Sequence, residues 1–169
     1  MEKYILSVLV RNNAGVLARV SSLFGRRGYN IDSLTVSATN NPSVSRITIV
    51  VKGDAYVFEQ LAKQVYKLEE TIDVYPLSRE DTLLRELLLV KVKMDAIIEK
   101  EVTDLVIRSG ANMIDVTGEA VVIELTGPPR TVNAFMEQIT KYPVLEVCRT
   151  GVTAMERGMT KHETLKNIL

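Results

Sequence analysis

The sequence predicts an α+β protein made of two tandem ferredoxin-like (βαββαβ) domains, and three observations predict it. Apolar residues switch between strand-like and helix-like spacing in the order strand, helix, strand, strand, helix, strand. The same order returns in the second half with little residue identity. A length of 169 residues with 46% hydrophobic content supplies apolar material for one or two compact cores.

Tyr4 to Val10 is a nearly continuous apolar run with β-branched residues, the pattern of a strand at the centre of a sheet. After a polar turn from Arg11 to Gly15, the residues Val16, Leu17, Val20, Leu23 and Phe24 form one helical stripe, and Gly28 is placed to end that helix in a left-handed cap. Between Ile31 and Thr39, Leu34, Val36 and Ala38 alternate with polar residues. Asn40-Asn41-Pro42-Ser43 then turns the chain into a strand from Val44 to Val51. Gly53 breaks that strand, and Asp54 is a candidate N-cap for a helix carrying Val57, Phe58, Leu61, Val65 and Leu68. Ile72 to Leu77 closes the unit. Four antiparallel strands with two helices on one face leave the other face bare, so that face or a sheet edge is expected to pair with something.

A charged stretch from Ser78 to Thr82 separates the halves, and the expected domains are residues 1–78 and 79–169. Leu83 to Val92 reads as a long strand, Ala96 to Ser109 as a helix ending at Gly110, and Asn112 to Val116 with Val121 to Leu125 as a hairpin around Gly118. Pro128-Pro129 opens a helix with Val132, Phe135, Met136 and Ile139 on one face, and Val144 to Arg149 is the last strand. The tail from Gly151 carries Arg157, Lys161, His162 and Lys166 and reads as a frayed or weakly docked end, with a short helix on a partner as the alternative.

Composition narrows the function classes. The 21 basic and 21 acidic residues cancel, which removes the global field that recruits nucleic acid or an anionic membrane. One cysteine, Cys148, and one histidine, His162, supply neither a disulfide nor a Cys/His zinc cluster, and a reducing, cytoplasmic setting is expected. No apolar run reaches membrane-spanning length, and the start of the chain lacks the design of a signal peptide. Glu69, Glu70 and Asp73 are expected as solvated surface, because no histidine or lysine base sits beside them in an apolar pocket. Cys148, in an apolar strand, is expected as inert core. Arg26-Arg27 is expected as a solvated helix end that complements the helix dipole.

The most informative stretch is Val10 to Leu17, where a buried strand runs through a polar turn into a helix. A helix start points the N–H groups of Gly15, Val16 and Leu17 outward, which suits a carboxylate, and Gly15 carries no side chain to hold a ligand away. Asn12 and Asn30 each donate and accept, so neutral amides at these positions fit a zwitterion. Plain turn chemistry at Asn12 to Gly15, and helix-exit punctuation at Asn30, are the competing readings.

Taken together, Leu6 to Val10, Asn12, Gly15 to Leu17, Leu23-Phe24, Arg27-Gly28-Tyr29-Asn30-Ile31, Ser33 to Val36 and Ser45-Arg46 resemble the ACT domain of the regulatory (small) subunit of acetohydroxyacid synthase, also called acetolactate synthase. Leu89 to Val92, Ile114 to Val116 and Arg149 to Val152 are similar to that subunit's C-terminal domain. The resemblance implies a chain without catalytic residues or cofactor of its own. Its partner is then a large catalytic subunit carrying thiamine diphosphate, Mg and FAD, which this chain activates and makes sensitive to valine in branched-chain amino acid biosynthesis. It further implies ACT domains paired as a homodimer, with the effector held at their interface by Asn12, Ala14, Gly15, Val16 and Leu17 of one chain and Asn30 and Ile31 of the other. A stand-alone amino-acid-sensing protein acting on another enzyme or on transcription is the alternative, weakened by the absence of a basic recognition helix. A small enzyme on the same scaffold is weakened by the shortage of acid–base residues.

Overall fold

A computed structural model describes residues 2–78, 80–159 and 162–166. The chain divides into two compact units. The first runs to Leu83 and resumes at Val152, and the second is Leu84–Gly151.

In the first unit, β1 (Glu2–Arg11), α1 (Val16–Arg26), β2 (Ile31–Ala38), β3 (Val44–Gly53), α2 (Ala55–Tyr66) and β4 (Thr71–Leu77) follow in that order. The antiparallel sheet has the strand order β2-β3-β1-β4. Ile5 to Val10 are all buried because β1 lies inside the sheet with both faces covered. Leu6, Val8 and Val10 of β1 pack with Ile47 and Ile49 of β3 against Val16, Val20 and Phe24 of α1 and Phe58, Leu61 and Val65 of α2. Each fully buried side chain of this size contributes about 1.5–3 kcal/mol of transfer free energy. The Asp54 carboxylate caps α2 by accepting the Val57 N–H at 2.8 Å.

The second unit repeats the plan. β5 (Thr82–Lys93), which begins in the first unit, leads to α3 (Glu99–Ser109), β6 (Asn112–Val116), β7 (Ala120–Gly127), α4 (Pro129–Ile139) and β8 (Val144–Arg149). Its strand order is β6-β7-β5-β8, the same arrangement moved four strands along the chain. Irregularities recur at matching places. The central strand slips against the last one between Leu9 and Val10 in one unit and between Lys91 and Val92 in the other. The second strand bulges at Asp32 in one and at Ile114 in the other. A repeat that is faint in residue identity is therefore exact down to its bulges.

Two expectations from the sequence are revised. The division falls after Leu83 instead of residue 78, because the first residues of β5 still belong to the first unit. The tail does not continue the second unit. Val152 onward returns to the first, with β9 (Thr153–Glu156) and a short α5 (Glu163–Lys166). Val152 and Ala154 are buried, so this part of the tail is docked and not frayed. Lys161 lies outside the described residues.

Candidate ligand-binding loop

Residues 12–15 join β1 to α1, and their shape follows from three hydrogen bonds. The Asn12 N–H donates to the Ser43 carbonyl at 2.8 Å, the Asn12 side-chain amide donates to the Pro42 carbonyl at 2.9 Å, and the Asn13 N–H donates to the Arg11 carbonyl at 2.9 Å. Asn12 thus ties the loop to the hairpin ahead of β3, and its side-chain carbonyl is left to accept. Gly15 then takes φ +84°, a left-handed conformation that costs an L-residue about 1–2 kcal/mol. A Cβ at Gly15 would meet nothing within 4 Å, so glycine is required here by backbone conformation and not by crowding.

The start of α1 is open. No side chain caps it, and its first turn holds no acidic residue. The Val16 N–H reaches the Asn13 carbonyl only at 3.4 Å. Asn12, Ala14, Gly15 and Leu17 are exposed, whereas Val16 is buried and anchors the turn in the core. Exposed N–H groups at the positive end of a helix dipole make a place for a carboxylate.

Asn30 and Ile31 are not beside this loop. Ile31 pairs with Val51 at one end of β3, and Arg11 pairs with Val44 at the other. Seven residues of strand rise, about 23 Å, separate the two ends. Asn30 is exposed at the entry to β2, an edge strand of the sheet. Within one chain the seven candidate residues form two clusters at opposite ends of the sheet.

The corresponding loop in the second unit differs. Between β5 and α3, the Asp95 carboxylate accepts the N–H groups of Ile97 at 2.9 Å and Ile98 at 3.1 Å, and Glu99 and Glu101 stand in the first turn of α3. The protein's own carboxylate thus takes N–H groups in the turn just ahead of α3, although Ile98 at the N-cap of α3 has no side-chain cap either. Asp95 followed by Glu99 and Glu101 is a helix-start signal visible in the sequence alone.

The remaining candidates separate clearly. Arg26 and Arg27 line a groove of about 590 Å³ with Arg19 and Leu68 on the helical side of the first unit, at the solvated end of α1. Glu69 is exposed, but Glu70 is not plain surface: it forms an ion pair with Arg19, and its carbonyl accepts the Arg11 N–H at 2.9 Å. Asp73 accepts the N–H of Val74 at 2.8 Å. Cys148, expected in the core, is exposed, because β8 is an edge strand and Cys148 stands opposite Leu89, out of phase with the buried Leu88 and Val90. His162, which has no visible partner in the sequence, stacks on Tyr75 with ring centroids 3.9 Å apart and lies 3.3 Å from Glu156. Ser33, Thr35 and Arg46 hydrogen-bond the returning tail at Val152 and Ala154. Their signal was a strand whose alternate positions are hydroxyls, and one arginine inside an otherwise apolar strand.

Among the described residues, no group of three or more His, Cys, Asp or Glu is placed to hold a metal ion, and no helix is long and apolar enough to cross a membrane.

Known proteins are similar to this chain over most of its length. Residues 6–73 match a family model described as an AHAS small subunit-like ACT domain, and residues 85–158 match one described as the small subunit of acetolactate synthase. A protein of Archaeoglobus fulgidus named probable acetolactate synthase small subunit is 44% identical over 94% of this chain and 99% of its own length. The acetolactate synthase small subunit of Mycolicibacterium smegmatis is 41% identical over 92% of this chain and 91% of its own. The crystal structure of the acetolactate synthase small subunit from Thermotoga maritima is similar at a TM-score of 0.88 and 40% identity, covering 95% of this chain and 100% of that one.

Proposed function

This chain belongs to the acetolactate synthase small-subunit family, and on that premise we propose that it is a non-catalytic regulatory subunit that activates a separate catalytic subunit and makes it sensitive to valine. Synthesis of acetolactate, with its thiamine diphosphate, Mg and FAD, is then the work of the catalytic subunit in the cytoplasm.

The observation that carries this reading is the uncapped start of α1 at Gly15. An amino-acid carboxylate placed there takes the free N–H groups of the first turn, an interaction worth about 0.3–1 kcal/mol in exposed settings and up to about 2 when partly buried. The Asn12 side-chain carbonyl, its amide already engaged with Pro42, is suited to the ammonium group. Ala14, Val16 and Leu17 frame the same end.

The separation of Asn30 and Ile31 from the loop supports a second copy as the source of the other half. β2 is an edge strand. If two chains pair β2 to β2 antiparallel about a two-fold axis, the start of one β2 comes beside the end of the other. The partner copy's start of β2 then lies at the end of the sheet that carries the loop. Backbone pairing would also satisfy the exposed edge.

Regulation requires that valine bind the active and inhibited forms of the complex with different affinity, and the catalytic subunit must change valine affinity in return. The direct test measures acetolactate synthesis by the catalytic subunit alone, with this protein, and with this protein plus valine, leucine or isoleucine. A several-fold rise in rate that valine reverses is expected. No change in rate and no valine response would overturn the reading.

A further inference from the structure

One face of the first sheet, the face without helices, is buried and carries hydroxyls among its apolar residues. Ser7 on β1 is fully buried and Thr48 on β3 is 4% exposed, beside Leu9 and Val50 on the same face. Part of the cover is the return segment from Val152 to Glu156. The Val152 N–H donates to the Ser33 hydroxyl at 2.8 Å, and the Thr35 hydroxyl donates to the Val152 carbonyl. Arg46 bridges from sheet to segment, with Nε donating to the Ser7 hydroxyl at 3.0 Å and Nη2 to the Ala154 carbonyl at 3.0 Å. Its guanidinium also lies 5.7 Å from the centre of the Tyr75 ring, against which His162 stacks. Side chains from β2 and β3 therefore hold the segment on this sheet, while its β9 part, Thr153–Glu156, also pairs with β5.

The holding residues stand on β2, which the Asn30 half leads into, and on β3, whose preceding hairpin ties down the Asn12 half. Ser33 and Thr35 follow Asn30 by three and five residues along β2. Arg46 follows Ser43, whose carbonyl fixes the Asn12 loop, by three residues along β3. We propose that residues 152–156 are a strap whose docked form is the effector-binding form, so that effector binding tightens the strap and loss of the strap weakens effector binding. The strap supplies the two-state element that coupling between sites needs, and the proposal rests on the regulatory reading above.

Two measurements test it in the intact protein reconstituted with its catalytic subunit. Hydrogen exchange at the Val152 N–H, and at the Arg157 N–H that donates to the Asp81 carbonyl at 2.7 Å, should slow at least tenfold when saturating valine is added. The Ser33→Ala/Thr35→Val variant removes both hydroxyls with little change of shape. It should activate the catalytic subunit to within twofold of wild type while needing at least tenfold more valine for half-inhibition. Arg46→Gln, which shortens the clasp, should shift valine response in the same direction, so the proposal does not depend on one variant folding. Unchanged half-inhibition in the double variant, or strap exchange indifferent to valine, overturns the strap while leaving the regulatory reading intact. A wild-type complex with no valine response overturns both.

Discussion

The turn from β1 into α1 and the turn from β5 into α3 occupy the same place in two copies of one topology, with the same strand order and the same slips of register. They end in opposite chemistry. The first leaves its helix start uncapped behind a left-handed Gly15, and the second places the Asp95 carboxylate on the N–H groups of Ile97 and Ile98. A helix start has a fixed demand for an acceptor, and the fold does not say who supplies it. The second unit supplies a carboxylate from its own sequence to the turn that leads into its helix. In the first unit no side chain answers the demand, which is the opening that the proposed effector site uses. The outer faces differ likewise: that of the first sheet is clasped by Ser33, Thr35 and Arg46 to the return segment, whereas Cys148 of β8 stands exposed.

The comparison can be broken at several strengths. The largest effect is expected in the cores, where Phe24 and Phe135 are both buried helix anchors. Truncating either to alanine should lower unfolding free energy in a urea titration by about 3–5 kcal/mol. A loss under about 1 kcal/mol for one of them would mean that the two cores are not built alike. Next is Gly15→Ala, expected to cost about 1–2 kcal/mol through its positive φ alone, since the added Cβ has room; a stability equal to wild type would show that the loop relaxes freely. Asp95→Ala should cost about 1 kcal/mol by leaving the Ile97 and Ile98 N–H groups ahead of α3 without their carboxylate acceptor. It should leave valine response untouched, and a changed response would give the second loop a role in effector binding.

The smallest effect concerns the bulges. Asp32 sits at the bulge of β2 and pairs with Lys3 and Lys52, whose hydrogen bonds hold its carboxyl below the ordinary carboxylate range, whereas the matching Ile114 is 52% exposed. A depressed carboxyl stabilises the fold above its ordinary titration range and loses that contribution as pH falls through its folded value. Asp32→Asn should therefore cost under about 1 kcal/mol at neutral pH. The difference from wild type should shrink on acidification and at high salt in denaturation curves. A gap that widens in acid would contradict the assignment.

Much of the fold was legible because period-two and helical spacing report directly on buried faces. The runs Tyr4 to Val10 and Val44 to Val51 fall within β1 and β3, and the stripe Val16, Val20, Phe24 is the buried face of α1. The return of the tail was not legible. Val152 and Ala154 are too few and too small to make a pattern, and their burial arises from hydroxyls and an arginine more than a hundred residues earlier. The exposure of Cys148 was not legible either, because an apolar edge strand has the pattern of a central one until its neighbours are known. At the loop, Gly15 marked the turn, but only the register of β3 shows that Asn30 and Asn12 stand at opposite ends of the sheet.

The most direct test of the central claim is to give the first loop what the second already has. In the complex reconstituted with the catalytic subunit, Gly15→Asp places a carboxylate at the start of α1, and the valine concentration needed for half-inhibition is the quantity to measure. Loss of valine inhibition with activation largely retained is the predicted result. Inhibition at wild-type valine concentrations would show that the loop is only a turn.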